Sequence, residues 1–569
     1  MPDYFDLGSY TRPVTTGSDL AQTWFNRGLL WAYGFNHEEA AACFERAITA
    51  DPDCVMAYWG RAYALGPNYN KPWEAFGPDE AFSSISSAAT VLAMAEDRAD
   101  RAAPVEGALV RALSLRYPTA GSPLIRELSA AELAERGAEW NSWYAEGMRE
   151  VYRMYPEDLD VAALLADALL NLTPWALWDR VTGEQAPDAA AAEAKDVLER
   201  ALASPGGEAH PGVLHMYIHL MEMSARPEDA LRAGDLLRDL VPDAGHLRHM
   251  PTHLDVLCGD YRSVVSANTA AIAADEKFLA QRGAMNFYTL YRAHDYHFKI
   301  YGAMFLGQAR TALGAADQLA AAIPEDLLRV ESLLMADWLE GFVAMKLHVL
   351  IRFGRWRDIL AVPLPGDQEL YRTTTAMTRY ARGIACAATG QLGEAAWQRD
   401  RFAEAAERVP ESRTIFNNTC RDILAVAGAM LDGELEYRRG NYDEAFARLR
   451  RAVELDDGLP YDEPWGWMQP ARHAYGALLL EQGRVTEAEA VYRADLGLDD
   501  TLARSSQHPG NVWSLHGYHE CLTRLGKREQ ADIVNQQLKI AAAYADVPIE
   551  SSCYCRGAAA AGQGVPGRS

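Results

Sequence analysis

Along most of the chain apolar residues recur at intervals of three and four, in stretches rich in Ala, Leu and Glu that are bounded by Gly, Pro or Asp. That spacing places apolar side chains on one stripe of an α-helix, and the strict alternation of a half-buried strand is nearly missing. The pattern therefore predicts an all-α chain. Near the middle it predicts two helices, over about 212–224 and 246–258, with ends uncertain by a few residues.

A pattern that repeats must be tested for a longer period. At Trp24 the chain reads WFNRGLLWAYGFNHEEAAACFERAITADP. Gly28 and Ala40 are small enough to let two helices of a hairpin approach closely, Trp24, Trp31 and Phe44 fill the joint, Ala47 lies on the same face, and Pro52 stops the second helix. This segment resembles the tetratricopeptide repeat (TPR) family. Weaker copies begin near residues 55, 211, 245, 376, 426, 469 and 512, marked by Gly383, Gly390 and Ala395, by Gly440, Ala445, Leu449 and Ala452, by Gly476, Gly483, Ala488 and Tyr492, and by Gly526 and Ala531.

The resemblance implies a TPR-like helical-hairpin solenoid, a right-handed superhelix, open or closed around a central cavity, with the first helix of each hairpin facing a concave groove suited to a peptide or protein. It names no chemistry. The chain is expected to divide into an N-terminal arm (1–20), N-terminal repeats (21–84), an irregular helical segment (85–205), central His-rich repeats (206–330), C-terminal repeats (331–550) and a flexible tail (551–569) that holds Cys553 and Cys555.

Composition narrows the partners. Across 569 residues, 79 Asp+Glu outnumber 54 Lys+Arg, for a formal charge of -25. Without a Lys/Arg-rich run, such a chain repels phosphate backbones and anionic membranes, so neither nucleic acid nor membrane is an expected partner. Eight scattered Cys are too few for a disulfide scaffold. The opening residues show no basic, apolar leader and no long apolar run occurs, which points to the cytoplasm. Glycine-rich phosphate loops and the G-x-S-x-G elbow are missing, which leaves nucleotide and serine-hydrolase chemistry without support.

Histidine departs from a plain scaffold. Of 14 His, eight lie between residues 210 and 297. HPGVLHMYIHLME sets His215, His219 and Glu222 on one helical stripe, and GHLRHMPTHLD sets His246, His249 and His253 on another. One repeat length separates His215 from His249 and His219 from His253, so each pair takes the same two register positions. In the family those positions face the groove. Adjacent first helices pack about 9 Å apart, so imidazoles from both can converge on one ion. His294 and His297, in YRAHDYHFKIY, would complete the set or supply a base behind it. Glu222 would serve as further ligand or as base, and Asp255 lies off the stripe.

An imidazole-dominated site without thiolate suits copper or iron, with zinc or manganese as further choices. The expected activity is oxidation of a small organic substrate, with Glu222, Tyr217 and Tyr291 as catalytic groups and Tyr288 close in sequence. A metal-dependent hydrolase and a non-catalytic interaction scaffold are the alternatives. His473, His508, His516 and His519 would join the cavity only if the solenoid curls far enough. GPNYNKPW and NLTPWALWD read as packed interhelical loops, with Asn68, Asn70 and Lys71 as candidate pocket residues.

Overall fold

The structure is a computed structural model that describes residues 4–117, 127–330 and 335–556. The chain is all-α. Among the described residues the only strand pairing beyond isolated bridges joins Thr414–Ile415 to Asn418–Thr419. No described helix is long and apolar enough to cross a membrane. Two compact units divide the chain: Met1–Leu254 with Ala270–Tyr288, and Asp255–Thr269 with Thr289–Ser569. This division falls inside the block expected as one group of central repeats over 206–330.

In the first unit the hairpin Asp19–Tyr33 and His37–Ala50 forms for local reasons. The Ser18 side chain accepts from the Ala21 N–H and the Asn36 side chain from the Glu39 N–H, so each helix start is capped. Phe44 seals the joint. A Cβ on Gly28 would come within 2.7 Å of its ring and one on Gly60, in the next helix, within 2.4 Å, so only glycine lets three helices close on this one side chain. The segment 85–205 is a run of helices that pack on their neighbours in order, including Pro104–Ser114, Ala130–Met154, Leu159–Leu170 and Ala191–Ala203. Residues 118–126 within it lie outside the described residues.

The helix Asp19–Tyr33 also packs on Pro211–Met221, far along the chain. The N-terminal arm locks that contact. Arg12 pairs with Asp158 and Asp160 at 2.7 and 2.6 Å, and Asp160 accepts from Tyr10 and Tyr33 as well. Burial alone would raise Asp160, but His210 and Arg12 outweigh it and hold the carboxylate below its usual range.

The two central helices differ from the sequence expectation in one respect. The first spans Pro211–Met221, and the second is split into Gly245–His249 and Pro251–Cys258. Pro251 lacks the N–H that would continue the ladder, and its ring crowds the preceding turn.

In the second unit four hairpins follow one another: Arg372–Ala388 with Leu392–Glu407, Cys420–Arg438 with Tyr442–Asp457, Ala471–Glu481 with Val485–Asp495, and Val512–Arg524 with Arg528–Ala542. Gly440 and Gly483 take left-handed φ of 83° and 73° at their turns, which ends one helix and starts the next. The tail expected to be flexible from residue 551 is packed as far as residue 556. Ser552 donates to the His473 carbonyl, its own carbonyl accepts from Arg352, and Arg438 donates to the Cys555 carbonyl. Cys553 and Cys555 are disulfide-bonded. Composition misjudged these residues because their anchors are supplied by distant helices. Residues 557–569 lie outside the described residues.

Candidate metal centre

Five imidazoles of the first unit form one buried cluster, none more than 2% exposed. Their rings touch in sequence: His215 to His219 at 4.7 Å, His215 to His246 at 5.0 Å, His246 to His249 at 6.0 Å and His249 to His253 at 4.8 Å between centroids. His219 to His253, at 6.0 Å, closes the circuit. The helical stripe explains the first pair, because residues four apart lie one above the other. The break at Pro251 does not disturb the second pair.

Within this cluster His215, His219 and His246 each offer a ring nitrogen within 4.8 Å of the other two. The far side of two rings is braced. His215 Nδ1 lies 2.6 Å from the Tyr33 carbonyl oxygen, and His219 Nδ1 lies 3.0 Å from Glu222 Oε1. A carbonyl and a carboxylate can only accept, so Nδ1 carries the proton in both rings and Nε2 presents a lone pair. Neither Nε2 has a hydrogen-bond partner. Burial, reinforced by neighbouring imidazoles, pushes His215, His219 and His246 well below the usual histidine range, so all three are neutral at pH 7. Neutral, braced and pointed inward is the state in which an imidazole ligates.

Glu222 has a role that the stripe alone could not assign. Its other oxygen, Oε2, lies 2.8 Å from His253 Nδ1, so one fully buried carboxylate orients a ring from each of two helices. Both oxygens are engaged at Nδ1, so Glu222 stands behind two of the rings. His249 and His253 face each other, Nε2 to Nε2, at 2.8 Å, and Thr252 Oγ1 lies 3.4 Å from His249 Nδ1.

The Tyr217 hydroxyl donates to Glu199 at 3.1 Å, across on Ala191–Ala203, so it is turned off the histidine stripe. Tyr291, His294 and His297 belong to Thr289–Phe305 of the second unit, as Asp255 belongs to that unit, and His297 Nε2 lies 2.8 Å from Met468 Sδ. Burial pushes His297 down to about 3. His210 caps its own helix and binds Asp160 at 3.2 Å. His473 and His508 meet on Asp495 in the second unit, while His516 and His519 are half-buried on Val512–Arg524.

Aromatic residues that the histidine pattern could not reveal frame the cluster. Phe35 lies 4.6 Å from His215 and stacks on His219 and His246, both at 5.5 Å. Tyr69 and Trp175 approach His219 at 4.8 and 6.1 Å and contact each other at 5.0 Å. These two come from GPNYNKPW and NLTPWALWD, so the loops that stood out in the sequence meet at the imidazoles. Phe35 and Trp175 adopt φ of 55° and 60°, the left-handed region that bulky residues avoid. Both conformations are strained for bulky side chains and are held by the surrounding packing.

Residues 21–54 match the family model of the tetratricopeptide repeat, so the first hairpin is a tetratricopeptide repeat. No curated protein matches the chain significantly in sequence. Solved structures that resemble it include yeast Tom70, at 13% identity over 91% of this chain and 92% of that one with a TM-score of 0.28. A second is the Cut9–Hcn1 hetero-tetramer of the APC/C, at 13% identity over 90% of this chain and 78% of that one, with a TM-score of 0.30.

Proposed function

We propose that this chain is a transition-metal-binding helical-repeat protein in which His215, His219 and His246 hold one ion. The observation that carries the reading is the pair of unpartnered Nε2 atoms on His215 and His219, both buried and both braced at Nδ1. A core histidine with no ligand to serve would leave a costly unpaired acceptor, and two such acceptors converge beside a third imidazole.

The donor set is all nitrogen. Glu222 turns an oxygen to each of two Nδ1 atoms, which favours an imidazole-only set and moves the balance from iron or manganese toward copper, with zinc next. Copper held by imidazoles supplies redox chemistry, so oxidation of a small organic molecule is the activity proposed for this centre. The hydrolase alternative is less favoured, because the Glu222 expected as its base accepts from two imidazoles. The residues of the chain have three tasks here: His215, His219 and His246 bind, Tyr33 and Glu222 orient, and Phe35, Tyr69 and Trp175 exclude water.

Protein docking is a second reading, supported by a different observation. Residues 551–556 lie as an irregular peptide across helices of the second unit, held by Arg352, Arg438 and the His473 carbonyl. A helical-repeat surface that accommodates a peptide of its own chain is suited to one from a partner. Metal content separates the readings. Untagged protein reconstituted with Cu, Zn or Fe should retain about one equivalent of one metal. Retention below about a tenth of an equivalent for all three would leave docking as the function.

A further inference from the structure

Of the five clustered imidazoles, His215, His219 and His246 are the ligands proposed above, and the other two face each other. His249 Nε2 lies 2.8 Å from His253 Nε2, with the ring planes at 83°, so the nitrogens meet without their ring carbons colliding. Residues four apart on a helical stripe stand one above the other, which is the spacing at which a histidine pair grips one ion.

The atoms behind the two rings decide what can lie between them. His253 Nδ1 donates to Glu222 Oε2 at 2.8 Å, so its Nε2 carries a lone pair. His249 has an acceptor within reach of either nitrogen. With its proton on Nε2 it donates to His253, and the pair closes on itself. With the proton on Nδ1 it faces Thr252 Oγ1 at 3.4 Å, which gives its own proton to the His249 carbonyl at 2.7 Å and so can accept. Both Nε2 lone pairs then point at one spot, and a metal ion placed there binds both. The site releases no proton in this exchange, because the one between the rings moves to His249 Nδ1.

The spacing also favours one ion over another. Two nitrogens bonded to a metal at about 2.0 Å are about 2.8 Å apart at the cis edge of a square plane and about 3.3 Å apart at the edge of a tetrahedron. The observed 2.8 Å fits the square plane, the geometry of Cu(II) rather than of zinc.

We propose that His249 and His253 hold a second copper ion, which makes the cluster a two-copper centre. Glu222 links the two ligand sets, with Oε1 on His219 of the first and Oε2 on His253 of the second. The rings of His219 and His253 lie 6.0 Å apart, as do those of His246 and His249, so the two ions are neighbours. Two imidazoles grip less tightly than three, and the second ion is therefore the weaker, present in a titration and lost on dialysis. The second site stands on its own two nitrogens, and only the count of two rests on the metal reading above.

The test is a Cu(II) titration of the full, untagged chain, read by bound copper and by EPR. A second, weaker step should follow the first, and the EPR signal should broaden as it fills, because neighbouring Cu(II) ions couple. His249→Phe, which keeps a ring and removes the nitrogens, should abolish the second step and leave the first. Thr252→Val keeps the shape of the side chain, controls for misfolding, and should weaken the second step about 10–100-fold by removing the acceptor behind His249. A single step that His249→Phe leaves unchanged, a second step indifferent to both substitutions, or a second step without broadening overturns the inference and leaves the first ion standing. A single step lost in His249→Phe and kept in His215→Phe sinks the reading of the first ion and leaves this pair standing.

Discussion

Two histidine clusters, one in each unit, start from the same sequence feature and end in different chemistry. His215 and His249 in the first unit and His473 in the second occupy the same position of their repeat registers. His473 Nε2 meets Asp495 Oδ2 at 3.0 Å and its Nδ1 meets Arg352 at 3.3 Å, so both ring nitrogens are occupied. Asp495 also receives His508, Asn511 and Ser514, so four side chains share one buried carboxylate, while His508 Nε2 is left without a hydrogen-bond partner. In the first unit the carboxylate of Glu222 sits behind the rings at Nδ1, leaving Nε2 of His215 and His219 facing inward without a partner. The two clusters differ in where the carboxylate sits: Asp495 is the shared acceptor of its cluster, and Glu222 stands behind two rings of the other.

The sharpest way to break this contrast is to remove one histidine from each cluster. His219→Ala should lower metal affinity by orders of magnitude, because the rest of the set loses a preorganised arm, while His473→Ala should leave metal content unchanged. Metal stoichiometry beside far-UV circular dichroism checks both, and equal metal in the two variants would show that the clusters do not differ in kind.

Next in size is Asp495→Ala. It strands His473 and His508 together with Asn511 and Ser514, and should cost about 3–5 kcal/mol of unfolding free energy in urea without altering metal content. Glu222→Gln is expected to do the reverse: a loss of about 10–100-fold in metal affinity, read by competition with a chelator.

The Asp495 cluster should also show in the pH dependence of stability. Burial pushes His473 down to about 4, below its unfolded value near 6.5. Between those values the unfolded chain takes up a proton that the folded chain refuses, so stability falls as pH falls through the window and is fully present above it. His473→Asn should flatten that slope. An unchanged slope would mean that the ring is not held neutral. Smallest of all, Tyr217→Phe should cost about 1 kcal/mol through its lost bond to Glu199 and leave metal binding untouched, which separates a neighbour in sequence from a member of the site.

The same aromatic joint recurs in both units, and there the reading from sequence went furthest. Gly476 and Gly517 close on Tyr492, where a Cβ would come within 2.6 and 2.2 Å, as Gly28 and Gly60 close on Phe44. Small and aromatic residues at fixed offsets report such a joint directly, because a helix converts sequence spacing into a face. The i, i+4 histidine pairs were legible for the same reason.

Helical periodicity is a local property of a few turns, and the sequence by itself determined what periodicity can carry: an all-α chain, the repeat at 21–54, and which histidines share a stripe. It could not decide what meets each stripe. Whether Glu222 ligates or braces depends on His253, one repeat away, and the proton on His215 is set by the Tyr33 carbonyl, held in turn by Asp160 and the arm at Arg12. Tertiary structure also turned Tyr217 toward Glu199 and held Phe35 in a left-handed conformation that its own chemistry disfavours. Each of these is a contact between segments far apart in the chain, where spacing carries no information and only packing selects the partner.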